Sequence, residues 1–369
     1  MPARRQRWIS HATVRISGAG STSSTSSARS AGIGLVDLMV GLAVGLIALL
    51  MILKVALLFE ARKKSTIGMA DAQLNAAGAL SLLARDLRMA GLGLGPAGAL
   101  GCEATHNHGS LPLVPVTIVN GPDGGPDQIR LLASAVPQSL SPATLIADHP
   151  ADASTLMLDS TLGIAPGHWL LLYEPSKACT VFRATAIPTG GYRVDHVLAS
   201  ASMSVGYLSG ARIINLGAMH YVQYAVDENQ ILQISRYDIT TDTWQSAAMA
   251  SNIVSLQAQY GFDMRAGPQA SPQVTRWSST MLDADGNATT GDNGDLTRLI
   301  AIRIAFVARS AQRSDQGCNA SLPQWIAGDE STGALTATDI PLPQPDWRCY
   351  RYRVLQTEIP LRNLLWGNS

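Results

Sequence analysis

The sequence predicts an α+β protein: a long N-terminal α-helix, with a transmembrane first half, packed on an antiparallel β-sheet domain. Three observations carry this reading. The run Leu38–Phe59 is long enough to cross a bilayer and holds Lys54 as its only charge. An amphipathic segment follows it without a break. From about Leu100 onward, short apolar runs alternate with Gly-, Pro- and Asp-rich turns.

Composition bounds the function. The 369 residues suit two or three domains at roughly 100–200 residues each. Hydrophobic residues make up 46% and charged residues 15%, which excludes disordered, collagen-like and coiled-coil classes. Basic and acidic residues number 27 each, which excludes a broadly basic nucleic-acid binder. The neutral total hides an asymmetry. Arg4, Arg5, Arg7, Arg15 and Arg29 lie in residues 1–32, which contain no acid, so the rest carries 22 basic against 27 acidic residues. A detachable leader on a mildly acidic mature chain is expected, and its Ser/Thr run Ser21–Ser27 points to disorder.

The helix is expected from about Ile33 to Ala90. Its apolar run is too long for an ordinary secretory signal, and no A-x-A-like site follows Phe59. Beyond Glu60, the residues Ile67, Ala70, Leu74, Ala77, Leu80, Ala84 and Leu87 step by three or four and predict the buried stripe. Arg85 and Arg88 suit the last turns, and Gly91, Gly93, Gly95 and Pro96 stop the helix. Asp37 stands out at the start of the apolar run. A carboxylate inside a membrane costs on the order of 2.5–3.5 kcal/mol and calls for a cationic partner. At headgroup level it is simply an N-terminal helix acid.

The segment GIGLVDLMVGLAVG resembles the class III signal of type IV pilins and pseudopilins. The resemblance implies that a prepilin peptidase cuts after Gly32, and that Ile33 becomes the N-methylated first residue. Asp37 then falls at the fifth mature position, where the family almost always has Glu. It would pair with the N-terminal amine of a neighbouring subunit during assembly. The implied organisation is a leader over 1–32, a transmembrane and assembly helix over 33–60, an amphipathic half-helix over 61–95, and a β-rich periplasmic or extracellular domain over 96–369. The implied fold is pilin-like, with the N-terminus cytoplasmic.

Strands are expected at Val116–Asn120, Gln128–Ala133, Thr155–Leu158, Trp169–Tyr173, Val181–Ala186, Arg212–Leu216, Tyr221–Val226, Ile231–Tyr237, Ile253–Asp263, Leu299–Ala308 and Tyr350–Ile359. Ile300, Ile302, Ile304 and Phe306 should share one face, with Arg303 on the other. The blocks LLARDLRMAGLGLG, PGHWLLLYEPSKACTVFRAT, IVSLQAQYGFD, RLIAIRIAFVARS and TEIPLRN resemble the large minor pilins of the PilW type. That resemblance implies a non-enzymatic minor pilin that helps initiate a type IV pilus. Its partners would be the prepilin peptidase, the inner membrane, other minor pilins, the major pilin and a tip adhesin. A type II secretion pseudopilin shares the same signal and is the alternative. A signal-anchored periplasmic enzyme is disfavoured, because the chain has no GxSxG, HExxH, Walker or Rossmann glycine motif.

Cys102, Cys179, Cys318 and Cys349 form no CxxC pair. An even count after an export-type segment favours disulfides. Four cysteines allow three connectivities, of which Cys102–Cys179 with Cys318–Cys349 is favoured. No cofactor is implied. His106 and His108 form an H-x-H pair that lacks further ligands. The weak calcium candidate is Asp283, Asp285, Asn287, Asp292, Asn293 and Asp295. It lacks the glycine and glutamate of an EF-hand loop, so a solvated acidic hairpin loop is the expected reading.

Overall fold

The computed structural model describes residues 34–94, 98–106, 109–135, 142–188, 190, 192–198, 205–267, 271–313, 318–329 and 331–365. The leader, Gly32, Ile33 and His108 lie outside the described residues. The chain divides into two compact units, the first ending at Phe59 and the second being Glu60–Ser369.

Helix α1 runs Leu35–Met89. Straight-chain and small residues dominate it, and no proline interrupts it. Within the first unit, every described side chain is exposed. That much apolar surface is stable only against lipid or another protein. Leu35–Glu60 is long and apolar enough to cross a membrane, which fits a single-pass anchor.

In the second unit the helix supplies one wall of the core. The buried residues are Ala72, Ala76, Ala79, Leu83, Ala84, Leu87 and Ala90. This corrects the expected stripe: Ile67, Ala70, Leu74 and Ala77 are exposed, and only its end, Ala84 and Leu87, is fully buried. An alanine-rich helix carries several three- and four-spaced series. The one that packs is the series whose small side chains let the sheets approach closely. The helix is terminated just after Met89 by Gly91, whose φ of 75° suits glycine. A Cβ there would lie 2.9 Å from Leu364 Cδ2. Asn363 Nδ2 donates to the orphan carbonyls of Arg88 and Ala90 at 2.9 and 3.3 Å.

The strands follow in order: β1 Glu103–His106, β2 Gly109–Pro112, β3 Val116–Val119, β4 Gln128–Ala133, β5 Ala143–Thr144, β6 Thr155–Met157, β7 Trp169–Tyr173, β8 Cys179–Ala186, β9 Arg193–Leu198 and β10 Arg212–Gly217. Next come β11 His220–Val226, β12 Ile231–Asp238, β13 Thr243–Ser251, β14 Ile253–Phe262 and β15 Arg276–Ser278. Helix α2 Asn293–Thr297, strands β16 Leu299–Arg309, β17 Gln324–Gly328, β18 Leu335–Asp339 and β19 Tyr352–Pro360, and helix α3 Arg362–Leu365 complete the chain.

The expected antiparallel-rich β domain is present and, among the described residues, is divided into four sheets. One has the order β2-β1-β8-β7-β10-β5, with β9 joined to β8 and β6 to β9. The second is β13-β12-β11-β4-β3, the third β15-β14-β16-β19, and the fourth the hairpin β17-β18. Among the described strands, pairing is antiparallel except between β1 and β8. The main core joins the helix face to Leu131, Tyr224, Leu256 and Ile304. A second core, around Leu170, Phe182 and Ile213, lies within the first sheet's region.

Strand β16 departs from its expected pattern in two ways. Its pairing steps from Gly261↔Ala301 to Phe262↔Leu299, so Ile300 is an extra residue. The bulge turns Leu299 into the main core and places Ile300 beside Trp277. The face that carries Arg303 is also buried. Ala305 and Val307 pack against Trp325 and Ala327 of β17. Arg303, 1% exposed, donates to Glu358 Oε1 at 2.6 Å and lies 4.0 Å over the Trp277 ring.

Candidate functional site

The N-terminal turn of α1 is built by its backbone. Gly34 C=O accepts from the amides of Asp37 at 3.0 Å and Leu38 at 3.2 Å. Asp37 is therefore the acid of the first turn, exposed at the positive end of the helix dipole. That end suits a carboxylate, and the exposed carboxylate can meet a cation from another chain. Lys54 lies on the same helix, five residues before Phe59 and exposed, where it can reach the headgroups.

Both favoured disulfides are present. Cys102–Cys179 ties the start of β1 to the start of β8, beside the parallel pair Ala104↔Cys179. Cys318–Cys349 ties the segment after β16 to the 3-10 turn Trp347–Cys349 before β19. Among the described residues no cysteine is free.

The acidic loop is more ordered than a solvated hairpin. Asp283, Asp285 and Asp295 each offer a carboxylate oxygen, all within 4.8 Å of one another. Asp295 is fully buried and accepts from the amides of Ala284 at 2.5 Å, Asp285 at 3.2 Å and Gly291 at 2.7 Å. Asp283 accepts from the amides of Gly286, Asn287 and Ala288. Asn287 Nδ2 bridges Asp285 Oδ2 at 3.0 Å and Asp292 Oδ2 at 2.6 Å. Asp292 caps α2 by accepting from the Asp295 amide at 3.1 Å. Backbone N–H groups thus point their positive ends at the Asp283 and Asp295 carboxylates.

His106 is buried on β1, with Nε2 3.1 Å from the Tyr237 hydroxyl. Its sequence neighbour in the H-x-H pair, His108, is outside the described residues.

Two polar clusters escaped the sequence reading. Asp86 is 3% exposed on the core face of α1. Its Oδ2 accepts from Tyr224 Oη at 2.7 Å and lies 3.7 Å from His220 Nε2, while Arg85 lies 3.3 Å from Oδ1. Burial pushes its pKa up, but His220, Tyr224 and Arg85 outweigh burial and hold it below the usual carboxylate value. The signal was an acid between Leu83 and Leu87, one position from the true buried stripe. The second cluster is His149 and His196, whose Nε2 atoms are 2.9 Å apart and which pack on Phe182. Burial and the neighbouring His149 push His196 down to about 4, and burial lowers His149.

Residues 219–363 match the family model of the Type IV Pilus-assembly protein W. The match begins just before β11 and ends in α3, so it contains the β14-β16-β19 core and Cys318–Cys349. The anchor helix and Cys102–Cys179 precede it. This C-terminal part is similar to a family of pilus assembly, and the similarity supports a part in type IV pilus assembly, with other pilus components as partners. No curated protein and no solved structure matches the chain.

Proposed function

We propose that the chain is a minor pilin, a non-enzymatic subunit that helps initiate a type IV pilus and joins a tip-associated complex of minor pilins. The observation that carries this reading is the match of residues 219–363 to the pilus-assembly family. It favours a pilus over a secretion pseudopilus. The exposed apolar helix, with one acid in its first turn, supports it independently.

In this reading a prepilin peptidase removes residues 1–32, and Ile33 becomes the N-methylated terminus. The soluble unit stays outside the cytoplasm, held by Leu35–Glu60, until the subunit enters the fibre. Asp37 then meets the Ile33 ammonium of a neighbouring subunit. The isolated chain pays the desolvation cost of that carboxylate, and assembly supplies the partner.

Asp37→Ala is therefore expected to enter the membrane at normal level, since an apolar residue costs less there. It is expected to lose surface pili and co-isolation with partner pilins. Asp37→Glu keeps both. Normal piliation by the alanine variant, in a strain where deleting the whole gene abolishes pili, would contradict the role.

A further inference from the structure

The second sheet ends on β13, and that edge differs from the others in the fold. An open strand edge presents main-chain N–H and C=O groups that another strand can pair with. Folded chains therefore shorten, charge or cover their edges. The remaining outer strands follow that rule. β5 has two residues, and β6 and β15 have three each. β2 is four residues long and ends on Pro112. β3 is also four residues long, and its Ile118 amide donates to the Tyr260 hydroxyl at 2.5 Å. β18 has five residues and ends on Asp339. β19 carries Arg353, Glu358 and Pro360. Gln356 of β19 and Gln259 of β14 each bond both the N–H and the C=O of a β17 residue, Ile326 and Gly328 respectively.

β13 has none of these protections. Its nine residues, TWQSAAMAS, contain no charge and no proline. Thr243, Gln245 and Ala247 are exposed on one face and Ser246 and Ala248 on the other, so both faces of the strand meet solvent. β12 pairs with one side of β13, from Asp238↔Thr243 to Ile231↔Ser251. Among the described residues β12 is its one strand partner, and no main-chain bond joins β13 to another element. A bulge at Met249 falls between Gln233↔Ala248 and Leu232↔Ala250, which leaves Thr243–Ala248 as the regular stretch. At about 3.4 Å per residue that stretch offers an open edge of about 20 Å.

Alternating N–H and C=O groups along an open edge are matched by one kind of ligand, a second extended backbone. We propose that a second copy of this chain supplies it, β13 pairing antiparallel with β13 across a two-fold axis. The absence of charge is what points to self-pairing. In a two-fold contact each residue meets its own copy or a near neighbour, so a charged edge sets like charges against each other. With Ser246 opposite itself, Gln245 meets Ala247 and Trp244 meets Ala248, and nothing in the stretch repels its copy. The two sheets then join into one, β3-β4-β11-β12-β13 and back. A contact confined to this edge is smaller than a standard interface of about 1,600 Å², so the pairing is reversible and depends on concentration. It lies wholly within the second unit of each copy and does not depend on the pilus reading.

The test uses the full chain in detergent over a wide range of protein concentration. Amide hydrogen exchange is followed in the peptide covering 243–251. Exchange is expected to slow several-fold at the high end, and unchanged exchange in β14 shows that each variant is folded. The double variant Gln245→Lys, Ala247→Lys loses the protection, and so does Gln245→Glu, Ala247→Glu. Mixing the two variants restores it, because position 245 of one copy faces position 247 of the other. Ser246→Cys is expected to form a disulfide between copies, since directly opposed residues lie about 4.5–5.5 Å apart at Cα. Leu162→Cys, at a position 87% exposed between β6 and β7, is the control and stays unlinked. Exchange in β13 that is the same at every concentration overturns the proposal, as does a mixture that stays unprotected. A dimer that survives the lysine variant assigns association to the apolar helix or another surface and also overturns it. So does cross-linking of Leu162→Cys as fast as that of Ser246→Cys. Protection that appears only when other pilus components are added makes the second copy the wrong occupant.

Discussion

His149 and His196 share a hydrogen bond across the 2.9 Å between their Nε2 atoms, so one ring must present a proton and the other a lone pair. Both rings are neutral in that arrangement. A second proton would set two N–H groups against each other in a site only 2% and 4% exposed. The sign follows from the depressed pKa of His196, about 4 in the folded chain against 6.5 for the free side chain. The unfolded chain takes up protons first as pH falls, so the pair's stabilisation is complete above about pH 6.5 and drains away down to about pH 4. The loss is about 3 kcal/mol by linkage, read as a falling urea midpoint. His149→Leu with His196→Leu is expected to flatten that profile and to cost little at neutral pH, since both partners become apolar together. A double variant with the wild-type acid response would place the titrating groups elsewhere. Nothing in the sequence marks this pair. The two histidines are 47 residues apart and meet only because Leu156↔Val194 pairing and the His149–Tyr207 bridge bring their segments together.

Elements were more legible than residues, and the reasons differ by element. The helix bounds came within two residues, Leu35–Met89 against an expected Ile33–Ala90, because an uninterrupted apolar run and a glycine stop are local signals. Strands β4 and β7 were read to the residue for the same reason, each being a run of apolar residues between turns. Strand β13, TWQSAAMAS, was not expected, since small and polar residues carry no alternation and its pairing with β12 holds it in place. The same ambiguity misplaced the helix stripe, because alanine reads equally well as core or surface. The corrected face makes a direct prediction. Ala76→Leu or Ala79→Leu forces a larger side chain into the closed core and should cost about 1–3 kcal/mol. Leu74→Ala, at a position 71% exposed, should stay within about 0.5 kcal/mol. Thermal unfolding of the three variants decides between the faces; a large loss for Leu74→Ala with neutral alanine replacements would restore the original stripe. In the candidate site the acid of the first turn was legible by its isolation, and the order within the acidic loop was not. The backbone amides that saturate Asp283 and Asp295 come from the turn geometry, which composition does not encode.

At the scale of the whole molecule, the two disulfides divide the second unit's stability between its halves. Cys102–Cys179 closes a separation of 77 residues and pins the first sheet beside the end of α1. Cys318–Cys349 closes 31 residues and holds the β17-β18 hairpin's flanks against β16 and β19. The chain-entropy model assigns each about 4 kcal/mol. Their sum is of the order of the total stability of an ordinary domain, about 5–15 kcal/mol, so losing both bridges is expected to weaken the fold severely. Removing one bridge separates their contributions. Cys318→Ser with Cys349→Ser should lower the denaturation midpoint by an amount equivalent to about 2–4 kcal/mol. It should also release the segment that orders Arg313 and Arg348, raising hydrogen exchange there while β7 and β8 stay protected. Cys102→Ser with Cys179→Ser should do the reverse, loosening β1 and β8 and sparing β16. If either double variant raises exchange uniformly over all four sheets, the unit unfolds as one body and the two-half picture fails.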